Sequence, residues 1–222
     1  MTDALASLAD RTFDAVIFDM DGTLIDSTPA VERSWRTWAE EFDFDPNTVG
    51  HHGIPAETTA RRLIHPDRVD EAIARINELE LTDLEGVTML PGAEAALAAL
   101  TDTRRAIATS CTRDLFEARI AAAGAPRLRH TVTVDDVERG KPNPDPFLRA
   151  AELLGVDPTR CLVFEDAPGG VASAKAAGCT VIAVTTSGSS VDDLAQADLV
   201  VAGLDAVELI DTPDGVRVRA RQ

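Results

Sequence analysis

The sequence predicts an α/β protein with a parallel sheet at its core and an inserted unit of helices. From about residue 90 onward, short apolar runs alternate with helical stretches, and repeated strand and helix units of this length form a parallel sheet with helices on both faces. An apolar run at residues 15–18 supplies a first strand ahead of this series. Between residues 26 and 90 the apolar positions recur at helical spacing and no strand pattern intervenes.

The N-terminal elements follow from simple patterns. Residues 1–12 predict a short frayed helix, and residues 15–18 are an apolar run stopped by acidic residues and a glycine, which is typical of a buried parallel strand that ends in a turn. Trp35 and Trp38 lie on one face of the first inserted helix and predict a small core within the insert. The predicted inserted helices cover residues 29–41, 57–64 and 66–81.

The C-terminal elements complete the predicted sheet. The predicted strands are residues 105–108, 131–134, 161–164, 180–184 and 198–201. The predicted helices are residues 93–100, 115–123, 144–154 and 170–177. Residues 215–219 alternate in polarity and predict an edge or terminal strand. We therefore expect a core of residues 1–25 and 91–222 and a helical domain of residues 26–90.

Composition excludes several kinds of partner. The formal net charge of −17 argues against nucleic acid and anionic membranes, because both are bound mainly through Lys and Arg. No apolar stretch reaches the length of a membrane span and the N-terminus lacks a signal-peptide pattern, so we expect a cytoplasmic protein. The three cysteines, at positions 111, 161 and 179, have no metal-ligand spacing and are expected to be reduced thiols. A monomer is the default expectation.

An acidic pair follows the first strand. Asp19 and Asp21 are two residues apart, so an extended backbone places both side chains on one face. Two like charges this close need a cation, a shared proton, or a substrate phosphate with its metal. Gly22 lets the chain turn away directly afterwards. On this motif alone, a Ca²⁺-type loop and a solvated acidic turn remain alternatives.

Further polar residues follow the other predicted strands. In an open parallel sheet the ligand lies outside the carboxyl ends of the strands. The residues expected at that edge are Asp19, Asp21, Thr109, Ser110, Lys141, Glu165 and Asp166. This set suits phosphoryl transfer: carboxylates hold Mg²⁺, hydroxyl, amide and ammonium groups surround the phosphoryl oxygens, one carboxylate attacks phosphorus, and another moves the proton of the leaving group.

On these motifs the chain resembles the haloacid dehalogenase-like hydrolases over essentially its whole length. The resembling residues are Asp19-Met20-Asp21-Gly22-Thr23, Thr109, Gly140-Lys141-Pro142 and Glu165-Asp166. The resemblance implies a Rossmann-like core with a helical cap, Asp19 as a nucleophile that forms an aspartyl-phosphate, and Asp21 as general acid and then base. It also implies Mg²⁺ held by Asp19, the backbone carbonyl of Asp21, and Asp166, with Glu165 and Thr23 supporting them.

Within that family, residues 29–35, 85–93 and 108–110 look like those of the small sugar-phosphate and polyol-phosphate phosphatases. The resemblance implies a small phosphorylated sugar or polyol as substrate. His52 is our expected cap contact to that substrate, although a plain cleft-lining role and, with His51, a metal site are alternatives. Cys111 is a departure, because relatives often carry Gly or Ser there, and it could alter the pocket.

Two rival functions remain to be distinguished. A β-phosphoglucomutase-like phosphomutase shares the core motifs but places an arginine shortly after the cap glycine to hold a second phosphate, and the segment from Gly53 to Glu57 has none. A receiver-like phosphoacceptor module also gathers carboxylates and a lysine on a similar sheet. Receivers are about half this length and have no helical insert, so we favour simple hydrolysis.

Overall fold

The computed structural model describes residues 8–45 and 56–221. Its strands, in chain order, are β1 (Ala15–Phe18), β2 (Ile25–Asp26), β3 (Thr88–Met89), β4 (Arg105–Ala108), β5 (Thr131–Val132), β6 (Cys161–Glu165), β7 (Thr180–Val184), β8 (Leu199–Val201), β9 (Val207–Thr212) and β10 (Gly215–Ala220). Its helices are α1 (Thr28–Glu41), α2 (Ala56–Leu63), α3 (Val69–Thr82), α4 (Ala93–Ala98), α5 (Arg113–Ala122), α6 (Asp145–Leu154) and α7 (Pro168–Ala176).

Six parallel strands form the main sheet in the order β5-β4-β1-β6-β7-β8. From β1 the chain moves outward through β4 to β5, then returns to the other side of β1 and continues through β6, β7 and β8. The direction of winding therefore reverses between β1 and β6. In a doubly wound sheet such a reversal opens a crevice at the carboxyl ends of the strands, where ligands bind. The predicted α/β fold is confirmed.

The central strands are apolar on both faces because helices cover both. Every residue of β1, β6 and β7 is buried. Alternate residues of β1 enter two different hydrophobic clusters, with Val16 and Phe18 on one face and Ala15 and Ile17 on the other. An apolar run without polar alternation is the pattern that a sheet buried on both sides requires.

Helices α1, α2 and α3 follow β2 and precede β3, and they have a hydrophobic cluster of their own. Trp35 and Trp38 lie in it with ring centroids 5.2 Å apart, and the Trp38 indole donates a hydrogen bond of 2.9 Å to the Ala72 carbonyl. We call residues 28–82 the helical insert. Both ends of the insert meet where β2 pairs antiparallel with β3. The bounds of 26 and 90 for a separate domain stay a prediction.

Some elements differ from the sequence prediction. The predicted strand over residues 131–134 ends at Val132, because the Asp136 carboxylate accepts hydrogen bonds from the Thr133 amide and hydroxyl and starts a short 3-10 turn. The predicted strand at residues 215–219 is β10, which pairs with β9 as a hairpin outside the main sheet. Strands β2, β3 and β9 were not predicted. Most of the helix expected over residues 1–12 falls outside the described residues.

The helices that the structure describes, over residues 8–45 and 56–221, include none both long enough and apolar enough to cross a membrane. The three cysteines are all buried free thiols.

Candidate active site

Three buried carboxylates meet at the point where the winding of the sheet reverses. Phe18 pairs with Phe164 in the register of β1 and β6, so Asp19 leaves its strand beside Glu165 and Asp166. The Asp19 amide donates a hydrogen bond of 2.9 Å to the Phe164 carbonyl. Ligand oxygens of the three carboxylates lie within 4.8 Å of one another. The sequence prediction that these side chains share one sheet edge matches this placement.

Lys141 lies between two of these carboxylates. Its Nζ atom is 2.5 Å from Asp19 Oδ1 and 2.6 Å from Glu165 Oε1, and its side chain is 5% exposed. Burial opposes the charged form, but the carboxylates of Asp19 and Glu165 outweigh it and raise the pKa of Lys141. Lys141 therefore carries a fixed positive charge against the predicted nucleophile.

The Asp19 carboxyl experiences opposing effects. Burial, together with the negative charges of Glu165 and Asp21, raises its pKa to about 7, although the ammonium of Lys141 acts in the opposite direction. A carboxylate in this position has few water molecules to stabilise it, and its charge depends on the cations beside it.

Both oxygens of Glu165 already have partners. Oε1 accepts from Lys141, while Oε2 accepts from the amides of Asp166 and Ala167 at 2.9 and 3.0 Å. Gly170 in α7 makes room for this carboxylate, since a Cβ atom there would lie 1.6 Å from Glu165 Oε1. Glu165 thus holds Lys141 in place, and its supporting role at a metal site stays a prediction.

The carboxylates fit a hard divalent cation. If all are ionised, Asp19, Glu165 and Asp166 exceed the charge of Lys141 by two. The pKa of Asp166 is raised well above its usual value by burial and by the charges of Glu165 and Asp19. Since the oxygens of Glu165 are engaged, Asp19 and Asp166 are the side chains that suit the metal. Oxygen ligands of this kind are those that Mg²⁺ prefers.

Asp21 lies in a second polar group that spans the core and the insert. Its Oδ2 atom accepts a hydrogen bond of 3.0 Å from the Cys111 thiol and lies 3.1 Å from Nη1 of Arg119. Nη2 of the same arginine lies 3.8 Å from Glu80 Oε1 on α3. The predicted departure at position 111 therefore contacts Asp21.

The remaining predicted residues occupy different places. Thr109 and Ser110 follow β4 and line the cavity, and the Thr109 hydroxyl accepts a hydrogen bond of 3.1 Å from the Cys111 amide. Thr23 is buried and is not among the cavity-lining residues. His51 and His52 lie outside the described residues, so the expected cap contact stays a prediction.

A cavity of about 600 Å³ separates the helical insert from the sheet edge. This volume lies in the range of small-molecule sites. The core lines this cavity with the site residues described above. The insert lines it with Thr28, Val31, Trp35, Ile73, Asn77, Glu80 and Leu81.

Sequence reasoning missed Arg119 and Glu80. Arg119 lies within a helix whose charged residues are otherwise mostly at the surface, and Glu80 lies near the end of an acidic helix. Neither carries a local motif, because the partners are distant in the sequence: Arg119 pairs with Asp21, and Glu80 pairs with Arg119. Their burial and mutual approach were therefore not detectable in the one-dimensional pattern.

The fold and site together define a class: a doubly wound hydrolase whose predicted nucleophile is a strand-end aspartate held by a buried lysine. The chain belongs to the haloacid dehalogenase-like hydrolases, since the model of that family matches residues 13–178. The resemblance inferred from the four motifs is thereby confirmed.

Relatives support the family assignment. The chain is 41% identical to hexitol phosphatase A of Escherichia coli (strain K12), over 90% of this chain and 95% of that protein. It is 35% identical to glycerol-1-phosphate phosphohydrolase 2 of Saccharomyces cerevisiae, over 78% and 75%. A hydrolase from Pseudomonas syringae of known structure superposes with a TM-score of 0.75 and 26% identity, over 86% and 94%. The predicted enzyme class, a phosphoric monoester hydrolase, is confirmed.

Proposed function

We propose that this protein is a Mg²⁺-dependent phosphatase that hydrolyses small sugar or polyol phosphate monoesters through an aspartyl-phosphate intermediate. One observation carries the proposal: Asp19 and Asp21 leave the end of β1 into a single cavity, and Lys141 and Asp166 lie there with them. The cavity thus presents a nucleophile, a proton carrier and cationic support to one substrate phosphate.

In the first chemical step, a carboxylate oxygen of Asp19 attacks phosphorus and the bond from phosphorus to the ester oxygen breaks. Asp21 gives its proton to the departing oxygen, which leaves as an alcohol. In the second step, water attacks phosphorus, Asp21 takes a proton from that water, and the Asp19 carboxylate and inorganic phosphate are released. After the first step Asp21 is ionised and can accept the proton of water; after the second it is protonated again and Asp19 is again a free carboxylate.

The donors around Asp19 suit the phosphoryl oxygens. Lys141 supplies a fixed positive charge, and Thr109 and Ser110 lie at the same cavity wall. Charge on the equatorial oxygens of a transferring phosphoryl group is stabilised by such preorganised donors. When bound by Asp19 and Asp166, with the Asp21 carbonyl as an expected third ligand, Mg²⁺ would neutralise further negative charge on the phosphate.

The insert supports a polyhydroxy leaving group. Asn77 and Glu80, one helical turn apart on α3, give the cavity hydrogen-bonding groups, while Val31 and Trp35 give it apolar surface. Sugars and polyols carry hydroxyl groups on a C–H framework. Their hydroxyl groups would hydrogen-bond to the polar side chains of the cavity, and their C–H groups would pack on its apolar surface. The relatives named for a hexitol phosphate and a glycerol phosphate activity support this substrate class.

A phosphomutase is not favoured, since the two relatives by sequence reported above are named as a phosphatase and a phosphohydrolase. A receiver-like phosphoacceptor module is not favoured either, because the chain belongs to a family of hydrolases.

The test is phosphate release from a panel of hexitol, hexose, deoxyhexose and glycerol phosphates and β-glucose 1-phosphate, with Mg²⁺ and with a chelator. We expect metal-dependent release from a few of them. Asp19→Asn should abolish release, while Asp14→Asn, at the opposite end of the same strand and paired with Arg160, should retain it. Isomerisation of β-glucose 1-phosphate without release, or a fully active Asp19→Asn variant, would contradict the proposal.

A further inference from the structure

We propose that Arg119 is a positioning residue that fixes the orientation of the Asp21 carboxylate for proton exchange with the leaving group. The inference rests on the proposed function, because it assigns Asp21 the proton transfer. It adds a residue on α5 that no motif of the family resemblance includes.

The hydrogen bonds to Asp21 are unequal. Oδ2 is contacted by both Nη1 of Arg119, at 3.1 Å, and the thiol of Cys111, at 3.0 Å. Oδ1 is buried and has no hydrogen-bond partner within the described part of the chain. Asp21 also lines the cavity where the substrate would lie, and its side chain is 26% exposed. Arg119 and Cys111 therefore hold this carboxylate in one orientation at the cavity wall.

Cys111 acts as a neutral donor beside the arginine. Burial and the nearby charge of Asp21 raise the pKa of its thiol well above the usual value, so sulfur keeps its hydrogen. Nη1 of Arg119 also lies 3.3 Å from Cys111 Sγ. Arg119 and Cys111 thus both contact Oδ2 of Asp21 and fix the orientation of its carboxylate. Arg119 contacts the Cys111 sulfur as well, so it positions both groups.

Arg119 is itself held by contacts to both the core and the helical insert. Its side chain is 5% exposed, and its second terminal nitrogen faces Glu80, which is 11% exposed and also accepts a hydrogen bond from Trp35. Burying a guanidinium is costly unless it is paired, and such a pair contributes little net stability compared with apolar packing. A role in placing Asp21 explains the arginine better than stabilisation does.

The experiment compares two leaving groups in Arg119→Met and Arg119→Lys. An alkoxide from a polyol phosphate needs a proton as it departs, whereas 4-nitrophenolate leaves without one, so mispositioning Asp21 should affect only the first. Arg105→Met is the matched control: this ion-paired arginine precedes the same α5 unit at the opposite end of β4. Phosphate release from the best polyol phosphate and the burst of 4-nitrophenolate are both measured.

We expect Arg119→Met to lower kcat for the polyol phosphate about 100-fold, within the range that general acid catalysis contributes, with KM changed by less than about threefold. The 4-nitrophenolate burst rate should stay within about tenfold of wild type, and steady release after the burst should slow, because Asp21 also serves the hydrolysis of the intermediate. Arg119→Lys should recover part of the loss, and Arg105→Met should match wild type.

An equal loss with both substrates, or no loss, would overturn the inference. Thermal unfolding of each variant shows whether it is folded; if Arg119→Met is not, Arg119→Gln, which keeps hydrogen-bonding groups at this position without the charge, allows the same comparison. Failure of the wild-type enzyme to hydrolyse any polyol or sugar phosphate would instead refute the proposed function, so the two failures are distinguishable.

Discussion

At the scale of single residues, the site depends on one lysine shared by two carboxylates. Lys141 contacts Asp19 and Glu165 at hydrogen-bond distance, and all three side chains are buried. Electrostatic interactions in such a water-poor site are stronger than at the surface. The lysine thus reduces repulsion between the carboxylates and leaves a positive charge for a phosphate.

We predict that Lys141→Met lowers kcat/KM for the best substrate about 100-fold or more, the usual cost of removing one preorganised group that stabilises transition-state charge. The chain has one other lysine, Lys175, which forms a surface ion pair with Asp198. Lys175→Met is therefore the matched control and should retain activity. A loss below about threefold for Lys141→Met would show that the metal and backbone donors alone support the phosphate.

At the scale of elements, β6 and α7 together form the support for that lysine. The chain turns from the end of β6 directly into α7, and the Glu165 carboxylate packs back against the helix at Gly170. The glycine is required by this close approach and not by backbone conformation. Because Gly170 has no Cβ atom, the Glu165 carboxylate can occupy this position, from which it contacts Lys141.

Gly170→Ala should displace the Glu165 carboxylate, lower activity at least about tenfold and destabilise the fold by about 1–3 kcal/mol, the usual cost of overpacking. Gly140→Ala is the control, since a Cβ atom there meets nothing closer than Val134 Cγ1 at 3.8 Å. Thermal unfolding and phosphate release measure the two effects. Wild-type activity in Gly170→Ala would mean that Glu165 does not need its observed position.

At the scale of the whole molecule, the cavity exists only because two separately packed units face each other. The insert has its own hydrophobic cluster around Trp35 and Trp38, while the sheet has clusters on both its faces. Two units with separate cores can change their relative position more easily than parts of one core. This organisation suits an enzyme that closes over its substrate to exclude water and opens for product release.

The buried carboxylates also make the stability of the metal-free protein depend on pH. Burial raises the pKa of Asp19 to about 7, and that of Asp166 shifts in the same direction. A folded-state pKa above the unfolded one means that the folded form binds the proton more tightly. This contribution to stability is therefore full at pH below the ordinary value of 3.8 and is lost as pH rises through about 7.

We expect Tm of the chelator-treated protein to fall by several degrees from about pH 5 to about pH 8. Mg²⁺ should raise Tm more at the higher pH, because the carboxylates are then ionised and bind it. Asp19→Asn, which cannot titrate at this position, should show a shallower pH dependence. Equal stabilisation by Mg²⁺ at both pH values would contradict the assignment of the carboxylates as its site.

The sequence by itself determined the fold class and predicted which polar residues of the core lie at one edge of the sheet. Apolar runs mark buried strands because a sheet covered on both faces excludes polar residues, and the carboxyl ends of parallel strands must share an edge. Asp19, Lys141, Glu165 and Asp166 could therefore be grouped before their distances were known. The alternating polarity of β10 predicted a strand, but its pairing with β9 and the pairing of β2 with β3 could not be predicted. Strands β2 and β3 are two residues long, too short for periodicity to mark them, and a local pattern does not specify a pairing partner.

Only the tertiary structure decided which groups surround Asp21. Cys111 and Arg119 come from the β4 to α5 unit and meet Asp21 through packing within the core. Glu80 comes from the insert, and its contact with Arg119 depends on how the insert lies over the core. The same holds for the space at Gly170, which is visible only once Glu165 has folded back against α7. Periodicity encodes which face of an element is buried, whereas contacts between distant polar side chains are set by packing, and one chain's sequence does not record them.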